Sequence, residues 1–456
     1  MFSASTFYPF LSSTERPPNW LAALALLVLI CSCSNPRRPP SAEDPALRRY
    51  AERAYQPERR FATETLTENW LSGDPAAPTD IPITLSVPVS GAPGSATSGA
   101  ASGAKNVATG SATSTATSTA NPPARYPLIV YLPGLGEAAD AGRAWRTAWV
   151  EAGYAVLSLQ PSRFGPAALQ GRYAKNADFT ALARENYATA ALNERLQAVQ
   201  SVLFELEKRV DRSAPPFDRI DLSQTVLAGY ELGAQTVQAL AGERIAGIKL
   251  PRLKHPPKAV MLISPYANAA GGGFIKRFGD IQLPVFVATA TEDSDSVGVV
   301  TTLAARLAPF NYMPVGDKYL LLLSGGSHRL LSGGLLPAPG EGGPEGRTPG
   351  AGGGSPGGKS GGPGGGGGSG GPGGGGMPPG GGRGAPGGMG GGPGGGAGGG
   401  EIAAFPLASS ARQIIAIQRL SVTFLDAQLK QDPIAQEWLG RDAERWLAPV
   451  GELRRK

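Results

Sequence analysis

Short apolar runs alternate along this chain with stretches that repeat large hydrophobic side chains every three or four residues, and that alternation narrows the fold more than any other feature. The runs fall at 126–133, 153–159, 225–228, 259–263, 284–288 and 319–323. Each has strand length and lacks the alternate polar positions of a half-solvated strand, so each predicts a strand buried on both faces. Upstream, Ile83, Leu85 and Val87 alternate with Thr84 and Ser86, the period of a half-buried strand. Between the runs, residues 141–152 carry Trp145 and Trp149 on one helical face. Residues 187–209 begin a stripe of Leu192, Leu196, Val199, Leu203, Leu206 and Val210, which reads as core and not as a cofactor site. A helix is also expected over 233–240. Strands alternating with helices predict an α/β fold with a mostly parallel central sheet covered on both faces, and ligands then bind at the carboxyl ends of the strands.

Composition divides the 456 residues into segments. Of the 66 glycines, roughly 40 lie between 333 and 400, a tract with no strict three-residue period, which excludes collagen. This tract and a Ser/Ala/Thr/Gly stretch at 90–123 carry too little apolar surface to offset ordering entropy and are expected to be disordered insertions. The folded domain is expected over 65–332 and 401–456, closed by a helix at 409–430 with the stripe Ile414, Ile417, Leu420 and Phe424, then by 434–447 with Trp438 and Trp446. The apolar run 20–30 is too short to span a bilayer and predicts a signal peptide over 1–32. Ile30-Cys31-Ser32-Cys33 resembles the bacterial lipobox, with Cys33, preceded by the small Ser32, a better lipidation site than Cys31. Residues 33–64 would then form a basic tether on a membrane-anchored envelope protein; cleavage with free secretion, or a retained short anchor, are the alternatives.

Lys and Arg number 42 against 36 Asp and Glu, but the arginines are scattered, so no nucleic-acid partner is expected. With two histidines, His255 and His328, and two cysteines, the chain holds too few ligands for a zinc site. The acidic cluster Glu292, Asp293 and Asp295 lacks calcium-loop spacing. No metal or cofactor is expected. His255, between Lys254 and two prolines, reads as an exposed loop residue.

Three strand ends carry the chemistry. Gly229-Tyr230-Glu231-Leu232-Gly233 follows an apolar run and precedes a helix, with glycines two before and two after its central residue. Thr291-Glu292-Asp293-Ser294-Asp295 follows the run at 284, and Gly325-Gly326-Ser327-His328 the run at 319. On these turns, and on Ile81–Pro88 and Leu132-Pro133-Gly134-Leu135-Gly136, the chain resembles bacterial α/β-hydrolases of the predicted dienelactone hydrolase and platelet-activating-factor acetylhydrolase-like group. The resemblance places Glu231 in the nucleophile position, Asp293 as the orienting acid, with Asp295 as its alternate, and His328 as the base. It assigns the backbone N–H groups of Leu135 and Leu232 to the oxyanion hole. Pro133 replaces a histidine common in the group, and Glu231 replaces its serine. A carboxylate is a poor acyl-transfer nucleophile and puts negative charge beside the hole meant for it.

Three readings of Glu231 stay open. The protein is a catalytically silent pseudo-hydrolase that binds a small acyl or lipid-like ligand or a partner; or it uses carboxylate chemistry on an epoxide or halide; or it hydrolyses esters through another serine or a water activated at His328. With Glu231 and Asp293 both facing His328, an ion triad holding imidazolium is expected.

Overall fold

The computed structural model describes residues 44–72, 79–89, 124–268, 272–295, 298–300, 302–334 and 404–456, with side chains from 409 in the last span. The expected signal peptide, Cys33, the insertion at 90–123 and most of the glycine tract lie outside the described residues. Two units are separated at residue 52. In the first, the described part is α1, Pro45–Glu52, whose N-terminus is capped by the Asp44 carboxylate accepting from Ala46 N at 2.8 Å.

The second unit is built on one nine-stranded sheet: β1 Ala62–Ser72, β2 Thr79–Val89, β3 Tyr126–Leu132, β4 Ala155–Leu159, β5 Ile220–Tyr230, β6 Ala259–Ile263, β7 Val285–Glu292, β8 Lys318–Ser327 and β9 Gly451–Arg455. Their spatial order is β1-β2-β4-β3-β5-β6-β7-β8-β9. From β4 to β8 every pairing is parallel, while β1 with β2, β2 with β4, and β8 with β9 are antiparallel. The helices used below are α2 Arg143–Glu151, α3 Phe179–Asn186, α4 Thr189–Asp211, α5 Leu232–Ala241, α6 Leu303–Tyr312, α7 His328–Leu331 and α8 Ala404–Leu429.

Strand alternation decides which helices cover which face. Leu128, Val130, Val285 and Val287 share a core with Val199 and Leu206 of α4, Ala234 and Val237 of α5, and Phe310 of α6. Tyr131 and Phe286 point the other way, against Trp149 of α2 and Phe424 of α8. Each such side chain, taken fully out of water, contributes about 1.5–3 kcal/mol, which is why the runs must lie between two helical layers. The predicted stripe of α4 is buried at Leu192, Leu196, Val199, Leu206 and Val210, with Leu203 half-buried beside it. β1 and β9, which the apolar runs do not announce, extend the sheet at its two edges. Strand order, the antiparallel β2, and the crossovers carrying helices to both faces are those of the α/β-hydrolase fold. Among the described residues no helix is long and apolar enough to cross a membrane.

Candidate active site

The first turn is the strained one. Glu231 ends β5 with φ 51° and ψ −107° and caps α5, its N–H donating to Ile263 O at 3.0 Å. A left-handed φ at a non-glycine residue costs on the order of 1–3 kcal/mol and is held here by the strand and helix on either side. The two flanking glycines are steric necessities. A Cβ on Gly233 would lie 1.9 Å from Leu132 O, and one on Gly229 would lie 2.4 Å from the Gly233 carbonyl carbon. That close approach brings the turn after β3 against Glu231.

The glutamate is 5% exposed, and its carboxylate is fully engaged. Oε2 accepts from Leu135 N at 2.6 Å and Oε1 from the Tyr187 hydroxyl at 2.5 Å. The N–H that the resemblance assigns to an oxyanion is therefore held by the chain's own carboxylate. Burial, then the Glu231 charge, raises the Tyr187 phenol well above its ordinary range, so it stays a donor. The neighbouring N–H, that of Gly134, is taken by a second carboxylate, Glu137 Oε2, at 2.8 Å. Burial pushes Glu137 up to about 7; the Gly134 hydrogen bond opposes the shift and the Glu231 charge adds to it. Gln160 fixes the same turn from below by donating to Gly134 O at 2.7 Å.

At the other two turns His328 Nδ1 lies 2.7 Å from Asp293 Oδ1. The carboxylate also accepts from Ser264 Oγ at 2.8 Å and Thr289 Oγ1 at 2.7 Å. Behind it stands Arg306, fully buried, donating to Asp293 O at 3.1 Å and to Ser264 O and Pro265 O at 3.0 Å. Its guanidinium also pairs with the carboxylates of Asp293 at 3.5 Å and Asp295 at 3.6 Å. Burial alone would raise the Asp293 carboxyl; the His328 hydrogen bond and the Arg306 charge outweigh it and hold the group below the usual carboxylate range. Asp295 does not reach His328 in this way: its oxygens close their own loop on Val299 N at 2.9 Å and Val300 N at 2.6 Å. With Nδ1 facing Asp293, Nε2 is the ring nitrogen left for a general base.

The three strand-end turns thus meet in space, but the expected Glu, His, Asp ion triad is corrected. No hydrogen bond or ion pair joins Glu231 to His328 among the described residues. A glutamate reaches farther than a serine, and its oxygens find a backbone N–H and a phenol in place of the imidazole. Tyr230 bridges the two halves, its hydroxyl donating to His328 O at 3.0 Å and its ring 5.3 Å from the imidazole. Leu232 is fully buried at the start of α5. Tyr187, Glu137, Ser264 and Arg306 were not singled out from the sequence; of these only Glu137, three residues beyond Gly134, had a local signal. His255 lies apart from this site, 3.5 Å from Glu207 and half-buried. No group of three or more His, Cys, Asp or Glu that could hold a metal occurs among the described residues.

A strained turn after β5, an acid after β7 and a histidine after β8 thus stand together at the carboxyl ends of the parallel strands of an α/β-hydrolase fold. No family model matches the chain, and no curated protein does. Among solved structures it is similar to the ferulic acid esterase from Streptomyces cinnamoneus, at 17% identity over 61% of this chain and 78% of that one, with a TM-score of 0.38.

Proposed function

We propose that this protein is a hydrolase-fold binding module at the cell envelope, whose ester-cleaving centre is silenced by its own glutamate. The observation that carries this is the 2.6 Å bond from Leu135 N to Glu231 Oε2. An ester needs that N–H for the negative charge that develops on its carbonyl oxygen, and removing one such donor typically costs ~10²–10³ in rate. Here the donor is occupied before any substrate arrives, and the residue occupying it stands where the attacking hydroxyl belongs. Beside it Phe164, Leu232 and Tyr266 pack as a small buried apolar cluster, with the partly buried Leu135 at its edge as the apolar group a small acyl or lipid-like ligand would meet. Membrane attachment rests on the lipobox-like sequence before Cys33; acyl labelling that persists in Cys33→Ala would remove it.

Short-chain nitrophenyl esters test the silencing. The parent and Glu231→Gln are expected at background, while Glu231→Ser gains weak turnover, because the smaller side chain frees Leu135 N and supplies a hydroxyl. Parent turnover that disappears in Glu231→Gln would overturn the reading.

One observation favours a second function. Oε2 is held by an N–H and Oε1 by the Tyr187 hydroxyl at 2.5 Å; for attack on carbon the phenol must turn away from Oε1, which places an acid beside the site of attack. Oε1 would displace halide, or open an epoxide whose oxygen takes the Tyr187 proton, to give an alkyl ester that water activated at His328 then hydrolyses to alcohol and free carboxylate. Epoxides and haloalkanes in the same assay decide between them: turnover lost in Glu231→Gln selects this second function.

A further inference from the structure

At the amino end of β5, remote from Glu231, the sheet is interrupted. Pro127 pairs with Asp221 but Leu128 pairs with Thr225, so residues 222–224 bulge from the ladder. The bulge is built rather than frayed. Asp221 Oδ1 accepts from Ser223 N at 2.9 Å, and Thr225 Oγ1 donates to Leu222 O at 2.8 Å. It lifts Leu222 out of the sheet toward α4, and the segment before β6 closes over it through polar contacts at its margin, Gln200 to Arg252 O at 3.4 Å and Lys254 to Glu207. Between them remains a pocket of about 290 Å³. Glu231 lies six residue steps beyond Thr225, roughly 20 Å of extended strand, so the pocket and the cleft are different sites.

The chemistry of the pocket is two-sided. Leu203, Leu222 and Leu253 are half-buried around it, and Phe204 stands at its edge with 59% of its surface exposed. At the mouth Lys254 and Glu207 pair with one another, leaving the exposed Arg252 guanidinium with no counter-ion among the described residues. A pocket at the lower end of ligand-cavity size, apolar along its three leucines and Phe204 and polar along Gln200, Ser201, Thr225 and His255, with Arg252 its cation without a counter-ion among the described residues, fits a compact apolar body with a single negative head.

We infer that this pocket binds a small aryl or short-chain carboxylate, its hydrocarbon against Leu203, Leu222 and Phe204 and its carboxylate on Arg252. The site is independent of the Glu231 cleft and of its catalytic state. Calorimetric titration of the full chain with 4-phenylbutyrate tests it, with 4-phenylbutan-1-ol and 4-phenylbutylamine as the neutral and cationic counterparts. Twelve non-hydrogen atoms at ordinary ligand efficiency give a Kd on the order of 1 mM. Arg252→Gln should weaken binding about three- to fivefold, the worth of one exposed ion pair. Ser201→Trp, on the α4 face that lines the pocket, should abolish it by filling the chamber, while Glu231→Gln leaves it unchanged. Three results would overturn the assignment: no heat of binding by the parent, equal binding of acid and amine, or binding that survives Ser201→Trp. Loss of binding in Glu231→Gln would place the ligand in the cleft instead and overturn it equally.

Discussion

The two halves of the candidate site treat a buried carboxylate in opposite ways. On the β7 and β8 side, Asp293 is supplied with a histidine, a serine, a threonine and a guanidinium, and is held below the usual carboxylate range. On the β3 and β5 side, Glu137 and Glu231 occupy adjacent N–H groups of one turn, and Glu137 is pushed up to about 7. The first half is framed for ionic chemistry with a base at its tip. The second, where a hydrolase keeps its N–H donors open, is closed upon carboxylates of its own. Under the proposed reading, the acid and histidine frame persists while the turn beside Glu231 is satisfied by the chain's own carboxylates.

The largest effect that sharpens this contrast should come from Arg306→Ala. It leaves Asp293 and Asp295, 3% and 8% exposed, without their buried cation, and breaking such a pair costs about 3–5 kcal/mol. Glu231→Gln removes a charge but keeps a carbonyl oxygen for Leu135 N, so its cost should stay near the ~1 kcal/mol of an ordinary hydrogen bond. Urea denaturation at pH 7 compares the two. Equal losses would break the contrast, since the elbow would then depend on charge as much as the acid and base frame does.

Those parts of the molecule that depend on short-range sequence pattern were legible in advance. The six apolar runs became β3 to β8 because strands buried on both faces admit few polar residues. The glycine spacing around 231 announced the elbow because only a missing Cβ fits beneath Leu132. β1 and β9 were not visible. Glu64 and Glu68 interrupt the first, and Gly451-Glu-Leu-Arg-Arg455 buries only Leu453, as edge strands with one free flank permit. The direction of the Glu231 carboxylate was equally hidden. It is set by Tyr187, delivered 44 residues upstream by the segment that follows α3. Arg306, mid-helix in α6, and Ser264, at φ 52°, carry no local signature of a role beside the histidine.

The smaller effect lies in the pH dependence, where the two carboxylates should pull in opposite directions. Because Glu137 binds its proton more tightly folded than unfolded, its contribution to stability is fully present below about 4.5 and is lost as pH rises through about 7. Over that window the loss is on the order of 3 kcal/mol if the whole shift is realised. Asp293 acts the other way: its folded value is depressed, so its contribution is present above the unfolded value and lost as pH falls through the lower folded one. Denaturation at pH 5 and pH 8 should therefore show a more stable protein at the lower pH, with the difference largely erased in Glu137→Gln. In Glu231→Gln it should shrink only in part, because the Glu231 charge is secondary to burial in raising Glu137. A parent that gains stability between pH 5 and 8 would mean that Glu137 stays ionised on Gly134 N. The turn beside Glu231 would then tolerate two adjacent carboxylates without the buried cation that Asp293 and Asp295 share in the opposite half.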